Sequence, residues 1–188
     1  MIWLSQKRVM ILTIYKRYFL SLLLTTFLFS VSLTADAAIS REEDSFKGQV
    51  MIKSLISKNT YVFSSVNFAK IIKNNEEPSY GFVFNKEERE WWFFENCDIE
   101  YKVDDDPAVY KMKVIDTDSE MWTSYSLYTN CIGMPDQNMI DRISKATKIT
   151  FRVYFRNHPP VTWTVPDNIL KEWQTVINLD KDGHPINK

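Results

Sequence analysis

Between Lys148 and Ile177 the chain reads KITFRVYFRNHPPVTWTVPDNILKEWQTVI, and no other stretch restricts the possible folds as strongly. Ile149, Phe151, Val153 and Phe155 alternate with Thr150, Arg152, Tyr154 and Arg156, the two-residue period of a strand with one buried face. Asn157-His158-Pro159-Pro160 interrupts the run, and Val161, Trp163 and Val165 resume it against Thr162 and Thr164. Together they predict an antiparallel hairpin with its prolines in the connection, where no ladder donor is needed. After Pro166 the period changes. Ile169, Leu170, Trp173, Val176 and Ile177 recur at helical spacing, and Asp167 or Asn168 is expected to cap the helix. Such a stripe needs a sheet to cover.

Upstream the signals are those of more strands. Ala38 to Gly48 is charged and without a period, which predicts a flexible lead-in over 38–48. Val50 to Ile56 fits either a strand or a helix face. Thr60 to Ile72 is rich in β-branched and aromatic residues, with a slip in alternation near Ser64-Ser65. Tyr80 to Phe84 predicts a short strand, and the charged stretch from Asn85 to Glu90 a connection. Trp91 to Val103 predicts the longest strand, with Cys97, Ile99, Tyr101 and Val103 inward and Asn96, Asp98, Glu100 and Lys102 outward. Tyr110 to Val114 and Met121 to Thr129 predict two more, and Met139, Ile140 and Ile143 a short helix. The expectation is a mainly β (α+β) domain over 49–178. It would be an antiparallel β-sandwich or partly closed barrel of about eight strands with a packed C-terminal helix, followed by a disordered tail, 179–188.

Lys7, Arg8, Lys16 and Arg17 precede a span without charge from Tyr18 to Ala35 that closes on Ala35-Asp36-Ala37. This pattern predicts a signal peptide over residues 1–37, cut after Ala37, and hence a periplasmic or extracellular protein. The alternative is an uncleaved membrane tether. The eighteen residues from Tyr18 to Ala35 would reach about 27 Å as a helix, close to the thickness of a bilayer core. Removing 1–37 takes four basic residues and one acidic from totals of 23 and 24, leaving 19 Lys and Arg against 23 Asp and Glu. A mildly acidic chain without a basic cluster argues against nucleic acid as a partner. In an exported protein the two cysteines, Cys97 and Cys131, are expected to form one disulfide.

Candidate sites are few. Trp91-Trp92-Phe93-Phe94 puts two rings on each face of a strand, and the parity that turns polar after Phe94 makes Trp92 and Phe94, with Trp122 and Tyr128, a candidate binding surface for a protein or an envelope polymer. The rival reading is a central strand covered on both faces. Asp116-Thr117-Asp118-Ser119-Glu120 begins like a calcium loop but has Met121 at the turn-glycine position and Leu127 at that of the chelating acid. Asn178 to Gly183 follows N-x-D-x-D-G, with Asn first and the chain ending before a twelfth ligand, so no metal is expected. His158 and His184 each precede a proline in a turn, where a solvated imidazole needs no catalytic role. Four glycines in the whole chain exclude a phosphate-cradling loop and the cofactors it would hold. The expectation is a non-enzymatic, exported binding or structural module without a cofactor. The alternatives are an inhibitor of a secreted enzyme, or a polymer hydrolase pairing Glu95 or Asp98 with Asp116.

Overall fold

The computed structural model describes residues 38–55, 62–123 and 126–186, without the side chains of Ala38, Leu55, Trp122 and Thr123. The predicted signal peptide, 1–37, lies outside the described residues. Chain order is β1 (Ala38–Asp44), β2 (Gln49–Leu55), β3 (Ser65–Lys73), β4 (Ser79–Glu88), β5 (Ile99–Val103), β6 (Tyr110–Thr123), β7 (Ser126–Met134), α1 (Gln137–Ile143), β8 (Ile149–Val153), β9 (Val161–Thr164) and α2 (Asp167–Ile177). The nine strands form one antiparallel sheet in the order β1-β2-β3-β4-β7-β6-β5-β8-β9. It is neither a two-sheet sandwich nor a barrel, because β1 and β9 end the sheet without pairing to each other.

The predicted hairpin is β8 and β9, joined in the register Phe151↔Trp163 and Val153↔Val161. Ile149, Phe151, Val153, Phe155, Trp163 and Val165 are all buried, as the alternation requires. The helical stripe Ile169, Leu170, Trp173, Val176 and Ile177 is likewise buried on α2. Its cap differs from expectation. Pro166 occupies the N-cap position with no side-chain hydrogen bond, and Asp167 is already the first helical residue. α1 follows the usual rule, with Asp136 accepting from the Met139 amide.

The sheet curls over α2. Phe82 on β4 and Phe151 on β8 have three strands between them in the ladder, yet their rings lie 5.7 Å apart, edge to face. Trp173 fills the concavity, touching Phe68 at 5.8 Å, Phe82 at 4.9 Å, Phe151 at 6.2 Å and Trp163 at 6.2 Å. Large rings meeting edge-on fill such a hollow better than aliphatic side chains of the same number. Two polar residues fasten the helices. Lys70, buried on β3, donates from Nζ to the carbonyls of Ile177 (2.8 Å) and Leu179 (2.6 Å), two acceptors left open at the end of α2. Gln174 donates to the carbonyls of Ile143 (3.0 Å) and Ala146 (2.8 Å), closing the end of α1 onto α2.

Five segments depart from the sequence reading, the first being the strand expected over Met121 to Thr129, which is divided between the end of β6 and the start of β7. The lead-in is the edge strand β1, paired along its length with β2. Its turn is fixed by the Asp44 carboxylate, which accepts from the Phe46 and Lys47 amides, and by Gly48 at φ 59°. The tail folds back on itself over 179–186, and 187–188 lie outside the described residues. Asp180 accepts from the Asp182 and His184 amides, the Ile186 amide donates to Asn178 O, and Arg41 holds Lys181 O at 2.8 Å. β4 continues through Asn85, Lys86, Glu87 and Glu88, which pair with β7 where a connection was expected. The acidic stretch from Asp116 to Glu120 is likewise no loop, because β6 runs straight through it. Polar side chains hid these strands, since a strand held by its neighbours on both sides, or by one neighbour and water, does not need apolar alternation.

Candidate functional site

The aromatic run is tied to the rest of the sheet by an isolated bridge, Phe94 opposite Phe155. The Arg156 amide donates to Phe93 O and the Glu95 amide to Tyr154 O, each at 2.9 Å, so 93–95 pairs with the continuation of β8. After Glu95 the chain bends at Asn96-Cys97, where the Cys97 amide folds back on Glu95 O at 2.9 Å. That tight turn slips the alternation by one. Hence Ile99, Tyr101 and Val103 face inward as expected, but among the aromatics the faces are exchanged.

Phe94, expected outside, is 2% exposed and lies between Phe155 (4.8 Å) and Phe63 (6.5 Å). Trp92 is half-buried. His158 stacks on its indole at 3.8 Å and 9°, Phe155 meets it edge-on at 5.1 Å, and the Lys86 ammonium lies 4.6 Å from its ring centre. Lys86 is itself fixed by Val62 O and Glu88, both at 2.9 Å. On the other parity stand Trp91 and Phe93, half-buried as well, whose rings stack at 5.3 Å and 10°. The Arg156 guanidinium continues the column 5.7 Å from the Phe93 ring centre, within the reach of a cation–π contact. Indole, phenyl and guanidinium thus form a ladder across two bridged segments.

Its backbone is held from the β8–β9 connection. Asn157 accepts from the Phe93 amide (3.0 Å) and donates to Trp91 O (2.6 Å), and His158 Nε2 lies 3.0 Å from the same carbonyl. A carbonyl only accepts, so in that contact Nε2 carries the proton. Both residues therefore work structurally, His158 by stacking and donation. Arg156 and Asn157 were missed from sequence as site residues, although the alternation that buries Phe155 already puts Arg156 on the outer face.

The other candidates are scattered. Tyr128, half-buried on β7, donates its hydroxyl to Asn85 Oδ1, and burial, then Glu120 and Glu87, push its pKa up. Trp122 lies on β6 with its side chain outside the described residues. These two belong to the β6–β7 hairpin and not to the ladder. Glu95 and Asp98 are exposed beside the bend, and Asp116 is exposed on β6. Asp104 accepts from Thr147 Oγ1, the Thr147 amide and the Lys148 amide at 2.7–2.8 Å, and Asp106 from Tyr110 and the Ala108 amide. These hydrogen bonds, from the Thr147 hydroxyl first in one case and the Tyr110 hydroxyl first in the other, hold both carboxyls below the ordinary carboxylate range. Their lone pairs serve the turns. They face an open cleft of about 430 Å³ shared with Asn138, Asp141, Arg142 and Lys145, where Arg142 lies 3.8 Å above the Tyr110 ring. No group of three or more Asp, Glu, His or Cys among the described residues is arranged to hold a metal ion.

The expected disulfide is not formed. Cys97 and Cys131 are both free thiols. Cys97 sits in the bend before β5, Cys131 lies within β7, and β6 runs between those two strands. The bend at Asn96-Cys97 takes Cys97 out of the inward alternation of β5 and leaves it half-buried, whereas Cys131 is buried opposite Phe84, which gives the physical reason for the correction. Burial pushes the Cys131 thiol up to about 12.

Compared with known proteins, the chain matches no family model, no curated protein and no solved structure.

Proposed function

We propose that this chain is a non-enzymatic binding module of the cell envelope, exported by its N-terminal segment, and that it holds a protein partner through the ladder of Trp91, Phe93 and Arg156. The observation that carries the reading is the fixation of that ladder from behind by Asn157, with three polar contacts to the Trp91–Phe93 backbone from two adjacent residues. A surface ordered before binding loses less conformational entropy on binding. Tryptophan and arginine are also the residue types in which interface energy concentrates. The ladder offers a flat apolar edge and a cation together, suited to an apolar side chain next to a carboxylate.

The test places a photo-activatable phenylalanine analogue at position 93 of the full chain in living cells, with the same analogue at Arg152 as control. A discrete protein adduct at 93, absent at 152 and lost on adding Trp91→Ala, supports the reading. A heterogeneous polymer adduct transfers the ladder to an envelope polymer, and no adduct at 93 removes it. Recovery of the chain in the cytoplasmic fraction removes the export half.

A further inference from the structure

β6 changes neighbours part-way along its length. Tyr110, Lys111 and Met112 pair with β5, whereas from Lys113 to Thr123 the strand pairs with β7. Upstream of Ile99 the other strand bends away to pair with the continuation of β8. Beyond Met112 the outer side of β6 therefore has no strand beside it among the described residues. The nine residues from Lys113 to Met121 offer an open edge of roughly 30 Å at ~3.4 Å per residue.

Its chemistry is patterned. Asp116, Asp118 and Glu120 alternate on one face, in register with Ile132, Asn130 and Tyr128 on β7. All three acids are exposed, and no Lys or Arg pairs with them among the described residues. Among the described residues Asp118 accepts only from the neighbouring Ser119 amide, at 2.7 Å. Ile115 and Met121, 52% and 65% exposed, stand at the two ends of the stripe. Bulges between Val114 and Asp116 and between Met121 and Thr123 bound it.

We infer that this edge receives an extended, basic segment of another protein as an added strand, with alternate Lys or Arg side chains over Asp116, Asp118 and Glu120. A second copy of β6 is a poor occupant. An antiparallel pair centred on Asp118 would set Asp116 against Glu120 twice, and like charges directly opposite repel. The same acids that keep copies apart select a cation-bearing strand. The edge is separate from the Trp91 ladder, so its failure leaves that reading untouched.

The full chain is titrated with three fluorescent octapeptides: alternating Lys-Val, alternating Glu-Val, and Lys-Val with alternate backbone amides methylated. Saturable binding is expected for Lys-Val alone, with those amides of 113–121 that point away from β7 becoming protected from hydrogen exchange. The triple variant Asp116→Asn, Asp118→Asn, Glu120→Gln weakens binding at least tenfold, and its thermal melt reports that it still folds. Equal binding of the methylated peptide shows mere charge attraction and overturns the inference. So does binding of Glu-Val, protection elsewhere than β6, or no binding at all.

Discussion

The β8–β9–α2 region and the β4–β7–β6 blade belong to one sheet but are stabilised in different ways. In the first, each inward residue is apolar and α2 lies in the hollow, so stability follows area removed from water. In the second, much of the contact is polar. Asn85 donates to Ser65 Oγ at 2.7 Å and accepts from Tyr128, Ser126 donates to Glu87, and Lys86 holds Val62 O. Beyond Phe82 and Phe84, which face the hollow, the rim of the blade is a pairing of backbones trimmed with hydrogen bonds, each with a net contribution of only about 1 kcal/mol. The difference predicts that substitutions in the first region are felt globally and that those at the blade's rim are not.

Trp173→Ala should be the most damaging change, at about 3–5 kcal/mol, read from the urea midpoint. The loss is one of packing. The indole Nε1–H has no hydrogen-bond partner among the described residues, so removing it takes away four ring contacts and no polar bond. A cost under 1 kcal/mol would mean that α2 does not fill the curl.

Alkali tests the same hollow. Burial raises Tyr101 to about 12 from 10.0, and Cys131 to about 12 from 9.0. For groups whose folded value is raised, stability is complete below the unfolded values and is lost as pH climbs through them toward 12. Lys70 acts in the opposite sense below 10.5, because burial lowers its pKa. Tyr101→Phe keeps the ring and removes the titrating proton, so the fall between pH 10 and 12 should become shallower. An unchanged slope would place the alkaline transition outside the core.

Lys70→Met is next, at about 1–3 kcal/mol, since the carbonyls of Ile177 and Leu179 lose their donor while the aliphatic stem is kept. Asp136→Ala should cost about 1 kcal/mol, the usual loss of a helix cap. Both are read as shifts in the urea midpoint, and Lys70→Met should in addition speed hydrogen exchange at the Ile186 amide, which rests on Asn178 O beyond α2.

The two regions also explain what the residues disclosed in advance. Phe151, Trp163 and Trp173 could be placed because burial imposes a period, and the period is visible in a string of letters. Lys86 and Asp118 could not, because strand membership there is decided by the strand alongside, through Thr129 and Asn130, and not by a buried face. The Trp91 ladder lies between these cases. Its rings were conspicuous, but which of them face water depended on a bend at Asn96-Cys97 with no glycine or proline to announce it.

Asp118→Asn is the smallest effect and the sharpest test of the contrast. Among the described residues its side chain reaches only the Ser119 amide, and an asparagine oxygen still accepts that bond. The change also relieves repulsion from Asp116 and Glu120 on the same face, so stability should move by less than about 0.5 kcal/mol, upward if at all. The gain should shrink as salt is added, because exposed charges are screened. A loss above about 2 kcal/mol in the urea midpoint would mean that the rim of the blade is coupled into the packed hollow, and the distinction between the two regions would not hold.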